Sequence, residues 1–174
     1  MLLDELRAEP ALAYFIKSEC CDQGICVDFD PAIPATDFVI IKVDDFYADA
    51  IRAGDRPKSP DCLIVQRCAD GKFHWFVVEL KSVQSQGSGD LKREEIWEKF
   101  HTCLTDFMSN RFRQFFYNPD YEFNLHLVLV AGKMAEKFKR NFDFKFLLGL
   151  KPLYFANKII GVQGENPNPL VRPC

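Results

Sequence analysis

Asp61, Glu79 and Lys81 are the residues of this sequence whose types and surroundings suit phosphodiester chemistry. Asp61 follows Pro60 ahead of the apolar run Leu63-Ile64-Val65, while Glu79 and Lys81 close a second run, Phe76-Val77-Val78. Residues two apart on a strand point to one face, so Glu79 and Lys81 are neighbours over one patch of sheet. Two carboxylates about 5 Å apart at their Cβ atoms repel each other unless a cation neutralises them. Hard oxygen ligands in an incomplete shell suit Mg²⁺ or Mn²⁺, with positions left for water and a phosphate oxygen. Such a cation can polarise a phosphodiester and lower the pKa of an attacking water. A lysine ammonium can orient that water or stabilise the charge that develops.

Whether Asp61 joins the other two depends on the turn between the strands, Ala69-Asp70-Gly71-Lys72. If Asp70-Gly71 is a two-residue turn, Ala69 faces Lys72, Cys62 faces Glu79, and Asp61 points to the opposite side. A bulge near Asp61 would then be needed to bring it back. If Ala69 and Asp70 form a type I turn and Gly71 takes the left-handed bulge position, Cys68 pairs with Lys72 and Asp61 falls opposite Glu79. The sequence permits both turns.

The elements that must position these residues follow from apolar periodicity and chain breakers. Segments 2–9 and 11–20 carry apolar residues at helical spacing, with Pro10 suited to a first turn. Pro31 and Pro34 break the chain before 38–43, a β-branched run compact enough for a buried strand. Segment 45–54 either extends that strand or forms a short helix, and Gly54 to Pro60 is a loop by its breakers. Strands are expected at 61–67 and 73–82, joined as a hairpin. After a polar loop at 85–90, Ile96, Phe100, Cys103, Leu104, Phe107 and Met108 repeat with helical spacing. Asp90 suits its N-cap, and Glu94 and Glu95 suit the dipole at its start. Segment 125–131 is apolar on both faces, as a central strand is. A short basic helix at 133–140 and a last strand at 154–162 follow. The whole reads as one α/β domain over 1–163, a mixed sheet flanked by helices, with a loose tail at 164–174.

Pro60-Asp61, a hairpin, then Glu79-Leu80-Lys81 followed by a helix resembles the signature of the PD-(D/E)XK nuclease superfamily. The core order of that restriction-endonuclease-like fold, helix, three strands, helix, strand, is similar to the order of elements read over 2–131. The resemblance implies a metal-dependent nuclease in which Asp61 and Glu79 hold Mg²⁺ or Mn²⁺, the Leu80 carbonyl adds a ligand, and Lys81 is the catalytic lysine. Members of the family commonly add an acid from the first helix. Glu5 is the leading choice here, with Glu9 as a helical alternative and Asp44 and Asp45 as rivals beside the first strand. Glu98 and Lys99 lie mid-way along the second helix, where family members place a polar residue near the metal. The expected substrate is nucleic acid, with DNA ahead of RNA. The alternatives are a catalytically silent module of the same fold that binds nucleic acid or a protein, and an unrelated α/β interaction protein.

Composition limits these options without choosing among them. The chain has 174 residues, 48% of them apolar, and a net charge of −3. That is enough for one core, and any nucleic-acid surface must be local rather than a property of the whole charge. Lys133, Lys137, Lys139, Arg140 and Lys145 are candidates for phosphate contact, with Phe138, Phe142, Phe144 and Phe146 interleaved. Lys92, Arg93, Arg111 and Arg113 form a second basic group. His74, His101 and His126 sit among apolar residues and read as packed or surface histidines. Seven cysteines, an odd number with no CxxC pair, read as reduced thiols rather than as an iron–sulfur set drawn from Cys20, Cys21, Cys26, Cys103 and Cys174. No apolar run is long enough for a bilayer and the N-terminus lacks signal-peptide character, so the expectation is a cytoplasmic protein, with a homodimer left open.

Overall fold

The computed structural model describes residues 1–51, 56–82, 92–132, 147 and 149–174. In chain order these give α1 (Leu2–Ala8), β1 (Ile16–Lys17), β2 (Cys20–Asp22), β3 (Ile25–Phe29), β4 (Phe38–Lys42) and α2 (Val43–Ala50). The hairpin strands β5 (Cys62–Arg67) and β6 (Phe73–Ser82) follow, then α3 (Arg93–Thr102), which continues as a π-helical stretch (Cys103–Arg111), and α4 (Arg113–Phe116). The chain finishes with β7 (Phe123–Gly132), β8 (Leu153–Phe155), β9 (Lys158–Ile160), β10 (Val162–Glu165) and β11 (Leu170–Val171).

The fold is α/β, built on a six-stranded mixed sheet in the order β1-β4-β5-β6-β7-β10 and flanked by helices. Strands β1, β4, β5 and β6 pair antiparallel in succession, while β7 lies parallel to β6 and β10 parallel to β7. A parallel neighbour needs a long crossover, which α3 and the helical turns after it supply. Both faces of the sheet are covered. On one, Leu63, Val65, Trp75 and Val77 pack with Leu2, Leu3 and Leu6 of α1, Phe46 and Tyr47 of α2, and Ile96 and Phe100 of α3. On the other, Ile64, Val78, Leu80 and Val130 pack with Cys20, Ile25, Val27 and Val171 from the small sheet β11-β3-β2. This double burial is why β5 reads as a continuous apolar run rather than an alternating one.

The hairpin takes the second of the two turns. Gly71 donates its N–H to the Cys68 carbonyl at 3.0 Å, and Cys68 donates to the Lys72 carbonyl at 2.8 Å. Gly71 has φ +86°, in the left-handed region that glycine adopts without strain. The register then runs from Arg67 opposite Phe73 to Cys62 opposite Val78, which sets Asp61 opposite Glu79 one step further.

Several expectations are corrected. Segment 11–20 is not helical: after Pro10 the chain makes tight turns through Leu12 and Phe15 and enters β1 and β2. The aromatic and β-branched Phe15 and Ile16 suit an edge pairing with β4 better than a helix. The single strand expected at 154–162 is a hairpin, β8 and β9, turned by Ala156 and Asn157, both at positive φ, followed by β10. The tail at 164–174 is not loose. It begins inside β10, contributes β11 alongside β3, and ends in a disulfide. The cysteines are not reduced thiols either: Cys20–Cys62, Cys21–Cys26 and Cys68–Cys174 are bonded, and Cys103 is free and buried. The odd count concealed this, because the seventh cysteine is a core residue of the helical crossover. Segment 45–54 is helical as far as Ala50, where α2 ends. The polar loop at 85–90 with its Asp90 cap, and the basic helix at 133–140, lie outside the described residues.

Gly71 fixes the register, and a side chain there would meet nothing within 4 Å. The cost of Gly71→Ala is therefore backbone strain alone, about 1–2 kcal/mol. The expected outcome is an unfolding free energy in urea lowered by that amount, with an earlier midpoint and an unchanged m-value, and a smaller loss for Gly71→Asn, since asparagine tolerates this conformation. Equal stability of the glycine and alanine proteins would contradict the turn described here.

Candidate functional site

Glu79 lies near the C-terminal end of β6, its side chain on the face that carries Trp75 and Val77, and it is fully buried at 0% exposure. Asp61 enters the same patch from the head of β5 and is nearly as buried, at 6%. Its carbonyl accepts the Val43 N–H at 3.1 Å, which ties the start of α2 to it, and its Oδ2 accepts the Leu80 N–H at 2.6 Å. The N–H and carbonyl of an extended residue leave the strand on the same edge, so the Leu80 carbonyl also faces the Pro60-Asp61 side. The residue opposite Leu80 in this register is Pro60, which has no N–H to donate. The ladder ends there by chemistry, and the Leu80 carbonyl is left unclaimed by β5.

Two lysines answer the buried carboxylate. Lys99 Nζ stands 2.7 Å from Glu79 Oε1, and Lys81 Nζ stands 3.4 Å from the same oxygen. Lys81 also reaches Glu95 Oε1 at 3.5 Å. Glu95 and Lys99 are four residues apart on α3, so one face of that helix presents both to the sheet. Glu79 Oε2 is buried with no hydrogen-bond partner, a costly state for a carboxylate oxygen. Burial, and then repulsion from Asp61, push the Glu79 carboxyl up to about 7, against the opposing pull of Lys99 and Lys81. Burial draws the Lys81 ammonium down, but Glu79 and Glu95 outweigh it and leave it raised.

The structure sorts the remaining candidates. Glu5, the first choice for an additional acid, is a correction: it bonds the Met1 amino group and the Tyr121 hydroxyl, just ahead of β7. Because β7 runs parallel to β6, Tyr121 lies at the end of the sheet away from Glu79. Asp44, one of its rivals, lies in the first turn of α2 and is raised by burial, with Lys42 opposing and Asp61 adding to the rise. Asp44 is therefore the acid that feels Asp61, while Asp45 is exposed and donates its N–H to the Asp44 side chain. Glu98 turns outward to Lys58 at 2.8 Å, and Lys99 turns inward to Glu79. By sequence Glu95 reads only as suiting a helix dipole; its spacing from Lys99 across the Ile96 and Phe100 stripe is the signal that points to this role.

Other groups are accounted for differently. Arg111 pairs with Asp106 at 2.6 Å and Arg113 stacks over Tyr117, so both serve the crossover. Lys133, Lys137, Lys139, Arg140 and Lys145, with Phe138, Phe142, Phe144 and Phe146, lie outside the described residues. His101 stacks on Trp97, while His74 and His126 contact each other on the opposite sheet face. Among the described residues, the carboxylates of the site do not close into a three-oxygen cluster within 4.8 Å; the set that does come together is Cys68, His74 and Cys174.

The arrangement can bind a cation or a proton between two facing carboxylates, and it can deliver ammonium groups to an anion held beside them. The residues of the candidate site stand without a relative to interpret them: comparison with known protein families, with curated proteins and with solved structures yields no match.

Proposed function

We propose that the protein is a divalent-metal-dependent nuclease of the PD-(D/E)XK kind, hydrolysing phosphodiester bonds in nucleic acid, with DNA the leading substrate. The observation that carries this is the buried pair Asp61 and Glu79, opposite each other across the hairpin, with Glu79 Oε2 unpartnered and Lys81 alongside. The donor set fits a hard cation: oxygens from Asp61, Glu79 and the Leu80 carbonyl, with Asp44 close enough to interact with Asp61. Mg²⁺ or Mn²⁺ there would supply Lewis-acid charge to a phosphodiester oxygen and lower the pKa of an attacking water.

The chain's own residues do the rest. Asp61 is oriented by the Leu80 N–H, so it needs little reorganisation to meet a cation. Lys99 occupies Glu79 Oε1 and leaves the other oxygen available. Lys81, held between Glu79 and Glu95 and partly exposed, can contact a scissile phosphate without leaving its partners. The competing reading is a catalytically silent member of the same fold, and the closeness of Lys99 to a fully buried Glu79 favours it. Cleavage separates the two. No helix among the described residues is long and apolar enough to cross a membrane. The three disulfides fit an oxidising compartment better than the cytoplasm expected from the N-terminus and the short apolar runs.

Asp61→Asn keeps an acceptor for the Leu80 N–H but removes the charge, so both metal affinity and cleavage should disappear. Lys81→Ala should retain metal binding and lower cleavage by about 10² to 10³, the usual cost of one transition-state donor. A Lys81→Ala protein cutting at the wild-type rate would make the lysine structural.

The acidity of Glu79 gives a second test. A carboxyl raised to about 7 holds its proton below that pH, and a cation must displace it. Mn²⁺ affinity measured by calorimetry should rise about tenfold per pH unit below 7, with one proton released, and level off above it. Without metal the sign for folding is opposite: the native state binds the extra proton between the ordinary carboxyl range and about 7, so this group's contribution to stability falls as pH rises through that window. Metal affinity independent of pH between 5 and 7 would remove Glu79 from the ligand set.

A further inference from the structure

On the sheet face opposite the carboxylates, β5 and β6 carry a second set of chemistry-bearing residues at the turn end of the hairpin. Cys68 follows β5, His74 is the second residue of β6, and Cys174 arrives from the C-terminal segment. Their ligand atoms all lie within 4.8 Å of one another. His74 and Glu79 are five residues apart on one strand, so they face opposite sides and stand roughly 17 Å apart along it. The two sites are distinct.

We infer that Cys68, His74 and Cys174 form a redox-gated site for Zn²⁺ or a similar thiophilic cation, which replaces the Cys68–Cys174 disulfide as the cross-link of the C-terminal strand when the thiols are reduced. The argument rests on what keeps Cys174 in place without the disulfide. Leu170 and Val171 pair with Asp28 and Phe29 of β3, and the Pro169 and Val171 carbonyls accept the Asp28 and Asp30 N–H groups. The Gln66 amide donates to the Arg172 carbonyl at 2.9 Å, and the Ala69 N–H to the Cys174 carbonyl at 3.4 Å. These bonds survive reduction, so the two thiols remain beside His74 rather than dispersing.

The chemistry of the set is soft. Two thiolates and an imidazole select Zn²⁺ over Mg²⁺, and with Zn–S near 2.3 Å two thiolates on a tetrahedral ion stand about 3.8 Å apart. His74 meets His126 through one ring nitrogen at 3.2 Å and Asn124 through the other at 3.3 Å. One contact orients the ring as a supporting partner and the other is exchanged for the cation. Water takes the fourth position. Access is open: Cys174 is exposed, and a cavity of about 490 Å³ lined by His74, Phe76 and Cys174 adjoins the set.

The switch balances as thiol–disulfide exchange. A dithiol reductant attacks the exposed Cys174 sulfur as its thiolate, Cys68 leaves as a thiolate, and the second thiol of the reductant closes its own disulfide, releasing Cys174. Two electrons pass from the dithiol to the protein, and the cation then binds the two thiolates, with their protons passing to solvent.

The test uses the full chain, reduced with a dithiol, desalted without oxygen and titrated with Co²⁺ alone. One equivalent should bind with thiolate-to-cobalt absorption and tetrahedral visible bands, displaced by Zn²⁺, while the oxidised chain shows neither. Cys68→Ser with Cys174→Ser should abolish the bands although the other five cysteines remain, and His74→Asn should weaken Co²⁺ binding at least tenfold with the thiols intact. Alkylation of the reduced wild-type chain, read by peptide mass, decides the matter without variants: Zn²⁺ should protect Cys68 and Cys174 together. Unprotected Cys68 and Cys174, or bands unchanged by their replacement, would overturn the inference.

Discussion

Glu79 is a fully buried carboxyl set opposite Asp61, and two like charges in a low-dielectric patch dictate what must surround them. Left alone the pair would hold a proton or force one side chain out. Instead Lys99 approaches from α3, Lys81 lies two residues along the same strand, and Glu95 holds Lys81 from the far side. The charges alternate from strand to helix, and the helix must dock in one rotational setting for them to do so. Ile96 and Phe100, fully buried between those polar residues, enforce that setting through packing. The unpartnered Glu79 Oε2 is the residual cost, consistent with a site kept ready for a cation rather than optimised for stability.

The placement of Asp61 depends on structure remote from it. Gly71 sets the register from the other end of the hairpin, six strand pairs away. Cys62, next in sequence, is bonded to Cys20 on the opposite face, which anchors the head of β5 to the small sheet beneath. Pro60 ends the ladder, having no N–H for the Leu80 carbonyl, and the Leu80 N–H is taken by the Asp61 carboxylate. The head of β5 is thus held by a covalent link below, by Val43 of α2 and by a hydrogen bond above, with limited freedom for the carboxylate to swing away.

Much of this was legible locally. The β-branched run of β4, the alternation and length of β6, the apolar stripe of α3 and its continuation, and the double-sided burial of β7 are short-range patterns, and each element falls where its pattern lies. The turn was legible only as a choice, since Ala69-Asp70-Gly71-Lys72 supports two registers and nothing nearby selects between them; cross-strand packing and the pairing of Cys68 with Lys72 do. What was not legible is what depends on long-range pairing. The acid near Asp61 comes from Asp44 rather than Glu5, because α1 packs at the other end of the sheet, where Tyr121 takes Glu5. The C-terminal segment looks loose by composition, but Leu170 and Val171 find an open edge of β3 more than 140 residues earlier. The cysteine partners are separated by 42, 5 and 106 residues, so no spacing rule could reveal them.

The central claim, that Asp61 and Glu79 share a hard divalent cation, is tested most directly by a crystal structure of the protein grown with Mn²⁺ and recorded at a wavelength where manganese scatters anomalously. The account predicts one anomalous peak at coordination distance, roughly 2.0–2.6 Å, from a carboxylate oxygen of each residue, with Lys99 still on the far oxygen of Glu79. A well-ordered site with Asp61 and Glu79 unchanged, Lys99 in place and no peak between them would contradict it.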